Sequence, residues 1–326
     1  MAVAAPTSDG LASRQTRGVR RGDRVFRGLT LGSGLLILGL IVAIAVFLVW
    51  KAIPALRVAG FDFFSEKAWF PDAKPAKFGV AALAFGTVLS SIIALVLVVP
   101  VALGAALTLT ELAPKRLGTM GGYVVDVLAA VPSVVYGLWG VYFLVPRLVP
   151  MQRWLADHGG FIPLFHNSSN TFGRSVFAAS CVLAIMVLPI VAAISREVFR
   201  QVPQANREAA LALGATRWET IRMAVLPPSR SGVVGAVMLG LGRALGETIA
   251  VALVLAATFD INAHILEPGG NTIAANIATK FGEAGIAGRQ ALIASGLVLF
   301  AITLLVNVVA RTVVYRSSRA AALARP

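Results

Sequence analysis

The sequence predicts an all-α membrane protein, a polytopic bundle of six transmembrane helices. Of its 326 residues, 57% are hydrophobic and 13% are charged, which is far more apolar than a soluble protein of this length. The apolar runs are continuous and longer than about 18 residues, whereas the strands of an outer-membrane barrel would alternate over about ten residues. We therefore expect membrane-crossing helices and no soluble domain larger than a loop.

Six apolar runs define the expected spans. The first is too long for the core of a signal peptide and lacks a convincing cleavage site, so we expect it to remain as an anchor. The second and third contain Pro100 and Pro132, where a kink or a break is expected. The expected spans are residues 29–50, 78–109, 119–149, 175–195, 231–257 and 289–314.

Basic residues are distributed unevenly among the loops between these spans. The net charge is +14, and most of the 29 Lys and Arg residues lie in alternate loops that would share one side of the membrane. Because basic loops face the cytoplasm, both termini are expected there. This topology and anionic lipid account for the charge, so no nucleic-acid partner is expected. The expected domains are a cytoplasmic basic tail at 1–28, a six-span membrane domain at 29–314 with its core at 78–314, and a cytoplasmic tail at 315–326.

Two charged residues stand inside the fifth apolar run. Arg243 and Glu247 lie roughly 16 to 22 Å from its start at helical rise, close to the middle of a membrane. A charge at this depth is costly in lipid, so the pair should face the protein interior or a water-filled path. The spacing of four residues predicts one shared helix face. That face also carries Ala236, Gly240, Ala250 and Val254. The pair either lines a passage or only locks helices together.

The segment before this run resembles a known signature. It contains EAA, three further residues, a glycine, nine residues and AVLP, which resembles the EAA signature of ABC-importer permeases. One departure is Ala224, where that signature usually has Ile, with Ile221 nearby. In that family the segment forms a cytoplasmic coupling helix that docks on the ATPase. The resemblance implies a coupling loop at 196–230. The coupling residues it implies are Glu208, Ala209, Ala210, Gly214, Leu226 and Pro227.

Three further segments resemble the phosphate-importer permeases of the PstC type. They are GRALGETIAV at 242–251, PSVVYGLWG at 132–140 and FGTVLSSIIALVLVVPVALGAAL at 85–107. The resemblance implies a type I ABC-importer permease (MetI-like) architecture in the inner (plasma) membrane of a bacterium. It also implies a permease subunit of an ATP-driven importer of inorganic phosphate, which forms the translocation path with a second permease. Arg243 and Glu247 would then lie on the phosphate path.

The resemblance also implies three kinds of partner. They are a PstA-like permease in a heterodimer, a PstB-like ATPase dimer and a PstS-like phosphate-binding protein. The chain has no G-x-x-x-x-G-K-[ST] motif, so ATP and Mg²⁺ are expected on the ATPase and no enzymatic activity is expected here. With Cys181 as the one cysteine and three His residues without metal-ligand spacing, neither a metal nor a cofactor is expected in this chain.

Alternatives to this function remain open from the sequence. The EAA signature is shared among importers, so the substrate could be another oxyanion. A passive channel or a secondary transporter is a further alternative, although neither has a reason to carry an ATPase-docking segment. An inner-membrane enzyme would need a nucleophile, a metal or an acid–base set at depth, which Arg243 and Glu247 alone do not supply.

Three smaller features also admit two interpretations each. Asp126 is either a helix-start carboxylate or part of a gate. In the segment 271–281, Ile273, Ile277 and Phe281 predict a short amphipathic helix, which either lies on the bundle rim or docks the binding protein. The first outer loop holds an aromatic cluster that either forms an interfacial belt or contacts an external partner. The cluster comprises Phe61, Phe63, Phe64, Trp69 and Phe70.

Overall fold

The computed structural model describes residues 21–323, with only the backbone described at residues 21, 23 and 313–323. Most of the tail predicted at 1–28 lies outside the described residues, and residues 21–28 are helical rather than irregular. In the tail predicted at 315–326, residues 315–323 continue the last helix and residues 324–326 lie outside the described part.

The described chain is mostly helical, as predicted, and six of its helical stretches are long and apolar enough to cross a membrane. The helices are α1 Arg21–Ala59, α2 Ala81–Leu107, α3 Lys115–Ala129, α4 Ser133–Trp139, α5 Val145–Gly159, α6 Val176–Arg200, α7 Gln204–Ala212, α8 Arg217–Thr220, α9 Leu226–Leu245, α10 Ile249–Val254, α11 Ile273–Lys280 and α12 Ile286–Leu323. Short π-helical segments occupy Thr108–Leu112, Gly140–Leu144 and Ile221–Val225. Two-residue strands β1 (Trp69–Phe70) and β2 (Lys77–Phe78) pair antiparallel.

The chain divides into two compact units, one ending at Trp50 and the other beginning at Lys51. The described part of the first unit is one continuous helix, the first three-quarters of α1. Its large apolar side chains are exposed, which suits a helix surrounded by lipid. The second unit contains the end of α1 and all the remaining elements.

Helix α6 is the centre of the second unit. In its most apolar window 67% of the residues are buried, against 22% or less in the other spans. Helix α2 contacts it through Ser180, whose hydroxyl donates to the Ser90 carbonyl at 3.1 Å. Helix α9 contacts it through Gly240, where an added Cβ would lie 2.6 Å from Val191 and 2.9 Å from Val187. The glycine therefore permits close approach of the two helices.

The third span is interrupted at Pro132, as the sequence predicted. Helix α3 ends at Ala129 and α4 begins at Ser133, and the Tyr136 hydroxyl donates to the Leu128 carbonyl at 3.0 Å across the break. Gly122 of α3 packs on Arg196 near the end of α6, and Gly140, directly after α4, packs on Val182 near its start, so the third span follows the length of α6. Helix α5 continues to Gly159, so the following loop begins at residue 160 rather than at 150 as predicted.

The segment 271–281 forms the predicted short helix, α11, but its first half is not on the rim of the bundle. Ile273 is fully buried, and its backbone N–H donates to the Thr87 hydroxyl of α2 at 3.0 Å. The carbonyl of Asn271 lies only 2.0 Å from where a Cβ of Gly86 would stand. The apolar face of α11 is therefore used inside the protein, while Phe281 at its end is exposed.

Some members of the aromatic cluster in the loop after α1 are buried in the protein, and the others are exposed. Phe63 and Trp69 are buried and contact Phe78 edge to face. Phe61, which is 93% exposed, and Phe64 and Phe70 point outward. The loop therefore has its own small core, and only part of the cluster is available to lipid or to another protein.

Candidate functional site

The fifth span is broken within the stretch that holds the predicted path residues. The sequence predicted one continuous helix over 231–257, and this prediction is wrong. Helix α9 starts earlier, at Leu226, and ends at Leu245, and α10 begins at Ile249. Non-helical backbone at membrane depth is tolerated where it is covered by protein or lines a cavity. The break therefore marks this part of the chain as a candidate site.

Both ends of the short helix α10 are held by charged side chains. The Glu247 carboxylate accepts from the Ala250 N–H at 3.4 Å at its start. At its end, the Arg174 guanidinium donates to the carbonyls of Leu253, Val254 and Leu255 at 2.7 to 3.2 Å. A negative charge at the N-terminus and a positive charge at the C-terminus both complement a helix dipole. Arg174 was missed in the sequence, because it lies about 80 positions from its partners.

Packing against the third span accompanies this break. A Cβ on Gly137 of α4 would lie 2.8 Å from the Cα of Ala250, so α4 and α10 are in backbone contact. A Cβ on Gly140 would lie 2.7 Å from Val182 of α6 and 3.2 Å from Val254 of α10. The helices that follow the two interruptions, α4 in the third span and α10 in the fifth, thus pack on each other.

Arg243 and Glu247 do not share one face, and the prediction that they do is wrong. Glu247 is buried, with 6% of its surface exposed, whereas Arg243 is exposed. No ion pair joins them among the described residues. The helical spacing rule fails here because α9 ends between them. The other residues of the predicted face, Ala236, Gly240, Ala250 and Val254, are buried inside the bundle. Arg243 therefore lies on a different side of α9, which is exposed.

Arg243 belongs to a second face of α9 that is exposed in the single chain. An added Cβ on Gly235 or Gly242 would meet no atom within 4 Å. Leu239 on the same face is 60% exposed. This face combines small residues, which allow close approach of another helix, with one cation at mid-span depth.

The predicted coupling loop is an exposed helix–turn–helix. Gly214 follows α7 with φ of +83°, a left-handed conformation that favours glycine, and so ends the helix as predicted. Thr216 then caps α8 in a capping box with Glu219. Of the predicted coupling residues, Glu208, Ala209, Gly214 and Pro227 are exposed and Ala210 and Leu226 are half-buried.

Large apolar side chains on this loop are exposed. Leu213 is 90% exposed, Trp218 62%, Met223 59% and Leu211 51%. An apolar group of this size on a polar loop is typical of a surface that another protein covers. Ile221 and Val225 are buried and anchor this loop to the bundle. They take the place of the Ile that the signature usually has at position 224.

Asp126 forms an ion pair with Arg196 of α6. One Arg196 nitrogen donates to both carboxylate oxygens, at 2.8 and 2.9 Å. Because α3 begins at Lys115, Asp126 lies about three turns into the helix, and its interpretation as a helix-start carboxylate is wrong. Gly122 makes room for the pair, since its Cβ would overlap the Arg196 guanidinium. A gate role for Asp126 stays a prediction.

Beyond the start of α6, Glu267 ties the loop after α5 to the loop after α10. Its Oε1 accepts from the backbone and the hydroxyl of Ser168 at 2.9 and 2.7 Å, and its Oε2 accepts from Asn262. Partial burial raises the pKa of this carboxyl, but the hydrogen bonds from Ser168 and Asn262 and the nearby His264 outweigh it, so the pKa lies below its ordinary value.

Comparisons with known proteins agree with this architecture. Residues 99–321 match the family described as "Binding-protein-dependent transport system inner membrane component". The chain is 47% identical over 313 residues to "Phosphate transport system permease protein PstC 2" of Mycobacterium tuberculosis, which covers 94% of this chain and 96% of that protein. It is 41% identical over 302 residues to "Phosphate transport system permease protein PstC" of Xylella fastidiosa, with 92% of both chains covered.

A solved structure shares the fold. A bacterial ABC transporter involved in the import of the acidic polysaccharide alginate superposes with a TM-score of 0.54 and 18% identity, covering 90% of this chain and 99% of that chain. The protein is thus a multi-pass membrane transport subunit with the MetI-like fold rather than an enzyme. On sequence, signature and fold together, the chain belongs to the family of binding-protein-dependent transport system inner membrane components, as a permease of the PstC type.

Proposed function

We propose that this chain is the permease subunit of an ATP-driven importer of inorganic phosphate. The observation that carries the proposal is 47% identity over 94% of the chain to a protein named as a phosphate transport system permease. The exposed Arg243 supports it, because a planar guanidinium with several N–H donors suits a tetrahedral oxyanion.

Arg243 and Glu247 have separate roles in this proposal. A second permease, of the PstA type, covers the exposed face of α9, so that Arg243 lies on the path between the two subunits. There its fixed charge offsets the loss of water around the anion. Glu247 acts on the path indirectly, by holding the start of α10 and with it the broken segment beside Arg243.

Transport is coupled to ATP through the exposed loop between α6 and α9. A PstB-like ATPase dimer binds ATP and Mg²⁺ and receives the side chains of Glu208, Ala209 and Leu213 in a groove. Ala210, Gly214, Leu226 and Pro227 shape and anchor this docking segment. A PstS-like binding protein delivers phosphate from the other side. The distribution of basic loops supports a cytoplasmic position of both termini in a bacterium.

Composition of the purified complex tests this mechanism. A complex isolated through a tag on this chain is expected to contain an ATPase and to hydrolyse ATP faster when phosphate-loaded binding protein is added. A passive channel or a secondary transporter would yield neither result. Stimulation by a binding protein loaded with another oxyanion, but not by the phosphate-loaded one, would keep the mechanism and change the substrate.

A further inference from the structure

A partly buried arginine connects the exposed coupling loop to the bundle. Arg207 lies in α7 beside exposed Asn206 and Glu208, yet only 15% of its side chain is exposed. Its Nη2 and Nε donate to the two carboxylate oxygens of Glu111 at 2.8 and 3.1 Å. The Glu111 side chain is itself only 10% exposed. A bidentate arginine–carboxylate pair of this kind has defined geometry as well as strength.

The same guanidinium also holds the end of α6. Its Nη2 donates to the Phe199 carbonyl at 2.8 Å and its Nη1 to the Val202 carbonyl at 2.5 Å. These carbonyls lie in the last turn of α6 and just beyond it, where a helix leaves its carbonyls without partners. Arg207 therefore supplies donors that α6 cannot supply itself.

One side chain thus joins three elements. Glu111 belongs to the π-helical segment Thr108–Leu112, which continues α2. Directly beside it, Ala106 of α2 and Phe199 of α6 are fully buried in one apolar cluster with Val225, which immediately precedes α9. The ends of α2 and α6 therefore meet at the point where Arg207 enters from the coupling loop.

We propose that Arg207 is the positioning residue through which a displacement of α7 reaches α2 and α6, with Glu111 as its counterion. This rests on the proposed function, because it requires an ATPase that moves α7. Most of the Arg207 side chain is covered, so its removal leaves the exposed docking side chains of the loop unchanged. Lysine is a poor substitute, since one ammonium lacks the planar fork that reaches a carboxylate and two carbonyls.

The test measures the ratio of anion uptake to ATP hydrolysed by the complete complex in proteoliposomes. Arg207→Gln and Glu111→Gln should retain the ATPase and lower this ratio about tenfold, as expected for the loss of a charge-assisted hydrogen bond at a buried site. Arg200→Gln is the matched control, because it removes an exposed cation from the end of α6. Its ratio should equal that of the wild type.

Three results would overturn this role. The first is a wild-type ratio in an assembled Arg207→Gln complex, and the second is loss of the ATPase from the complex, since Arg207 would then serve docking. If Arg207→Gln does not assemble, Arg207→Lys is judged by the same ratio, and the third result is failure of both variants to assemble, which makes the residue purely structural. A wild-type complex that carries another anion contradicts the proposed substrate instead, and the ratio is then measured with that anion.

Discussion

Arg243 is the residue on which the proposed phosphate path depends. A guanidinium stays charged in any protein environment, and in this chain no described residue forms an ion pair with it. The sequence predicted that Glu247 shares its helix face, but the break after Leu245 removes the geometry for this. The cation is therefore available to an anion that passes along the exposed face of α9.

The first prediction is that the position of this cation, rather than the presence of a pair, matters for uptake. Arg243→Gln should lower phosphate uptake by about tenfold or more, the cost of losing a charge-assisted contact. The exchange of Arg243→Glu with Glu247→Arg should stay inactive, because it moves the cation to the buried side of the break. Uptake by the assembled complex is measured, with Arg230→Gln, an exposed cation of the same helix, as the control. Recovery of uptake in the exchanged variant would show instead that the two residues only lock helices together.

Glu267 gives a second prediction, on the pH dependence of stability. Because its folded pKa is below the ordinary value, its bonds to Ser168 and Asn262 stabilise the protein above the unfolded pKa of about 4.3 and are lost as the pH falls toward the folded value. Glu267→Gln should therefore lower the melting temperature at neutral pH, and this difference should shrink as the pH drops below about 4.3. Glu283→Gln, an exposed carboxylate in the same outer region, serves as the control. A difference that is independent of pH would contradict the assignment.

At the scale of elements, the close approach between α2 and the segment before α11 depends on Gly86. Gly86→Ala should destabilise the protein by about 1 to 3 kcal/mol, because the new methyl group would overlap the backbone carbonyl of Asn271. Gly104→Ala in the same helix meets no atom within 4 Å and should be neutral or slightly stabilising. Thermal unfolding in detergent compares the two variants. Equal stability of the two variants would show that the backbone around Asn271 moves aside without a loss of stability.

The turn between α7 and α8 gives a prediction for coupling. Gly214→Val should uncouple or release the ATPase, because a β-branched residue is strained at a φ of +83°. Gly214→Asn should be milder, since Asn tolerates left-handed backbone better. Glu208→Lys reverses an exposed charge on the docking face and should have the effect of the valine variant. Co-purification of the ATPase and its substrate-stimulated hydrolysis are measured. Wild-type values in Gly214→Val would remove this loop from the coupling mechanism.

Elements differ in how far the sequence could predict them. The six spans follow from local composition, and Pro132 and Gly214 mark a break and a turn by their own backbone preferences. The break at Gly246 could not be singled out in this way, because four other glycines precede it in the same apolar run and the break accompanies the packing of α10 on α4. The pairs Arg207–Glu111 and Arg196–Asp126 join residues 96 and 70 positions apart, and hydropathy contains no information about such partners.

As a whole, the molecule combines the shared permease fold with the proposed anion path. In the proposed function the EAA segment docks the ATPase, and the broken fifth span and the exposed Arg243 lie on the path. These features have a function only in a complete assembly, since both the exposed face of α9 and the coupling loop are uncovered in the single chain.

Reconstituted transport tests this central claim most directly. The chain is combined with its second permease and ATPase in proteoliposomes, and uptake of labelled phosphate is followed with binding protein and ATP, with and without excess sulfate. The account predicts ATP-dependent accumulation of phosphate that sulfate does not suppress. Accumulation without ATP, suppression by sulfate to the same extent as by unlabelled phosphate, or no accumulation by an assembled complex would contradict it.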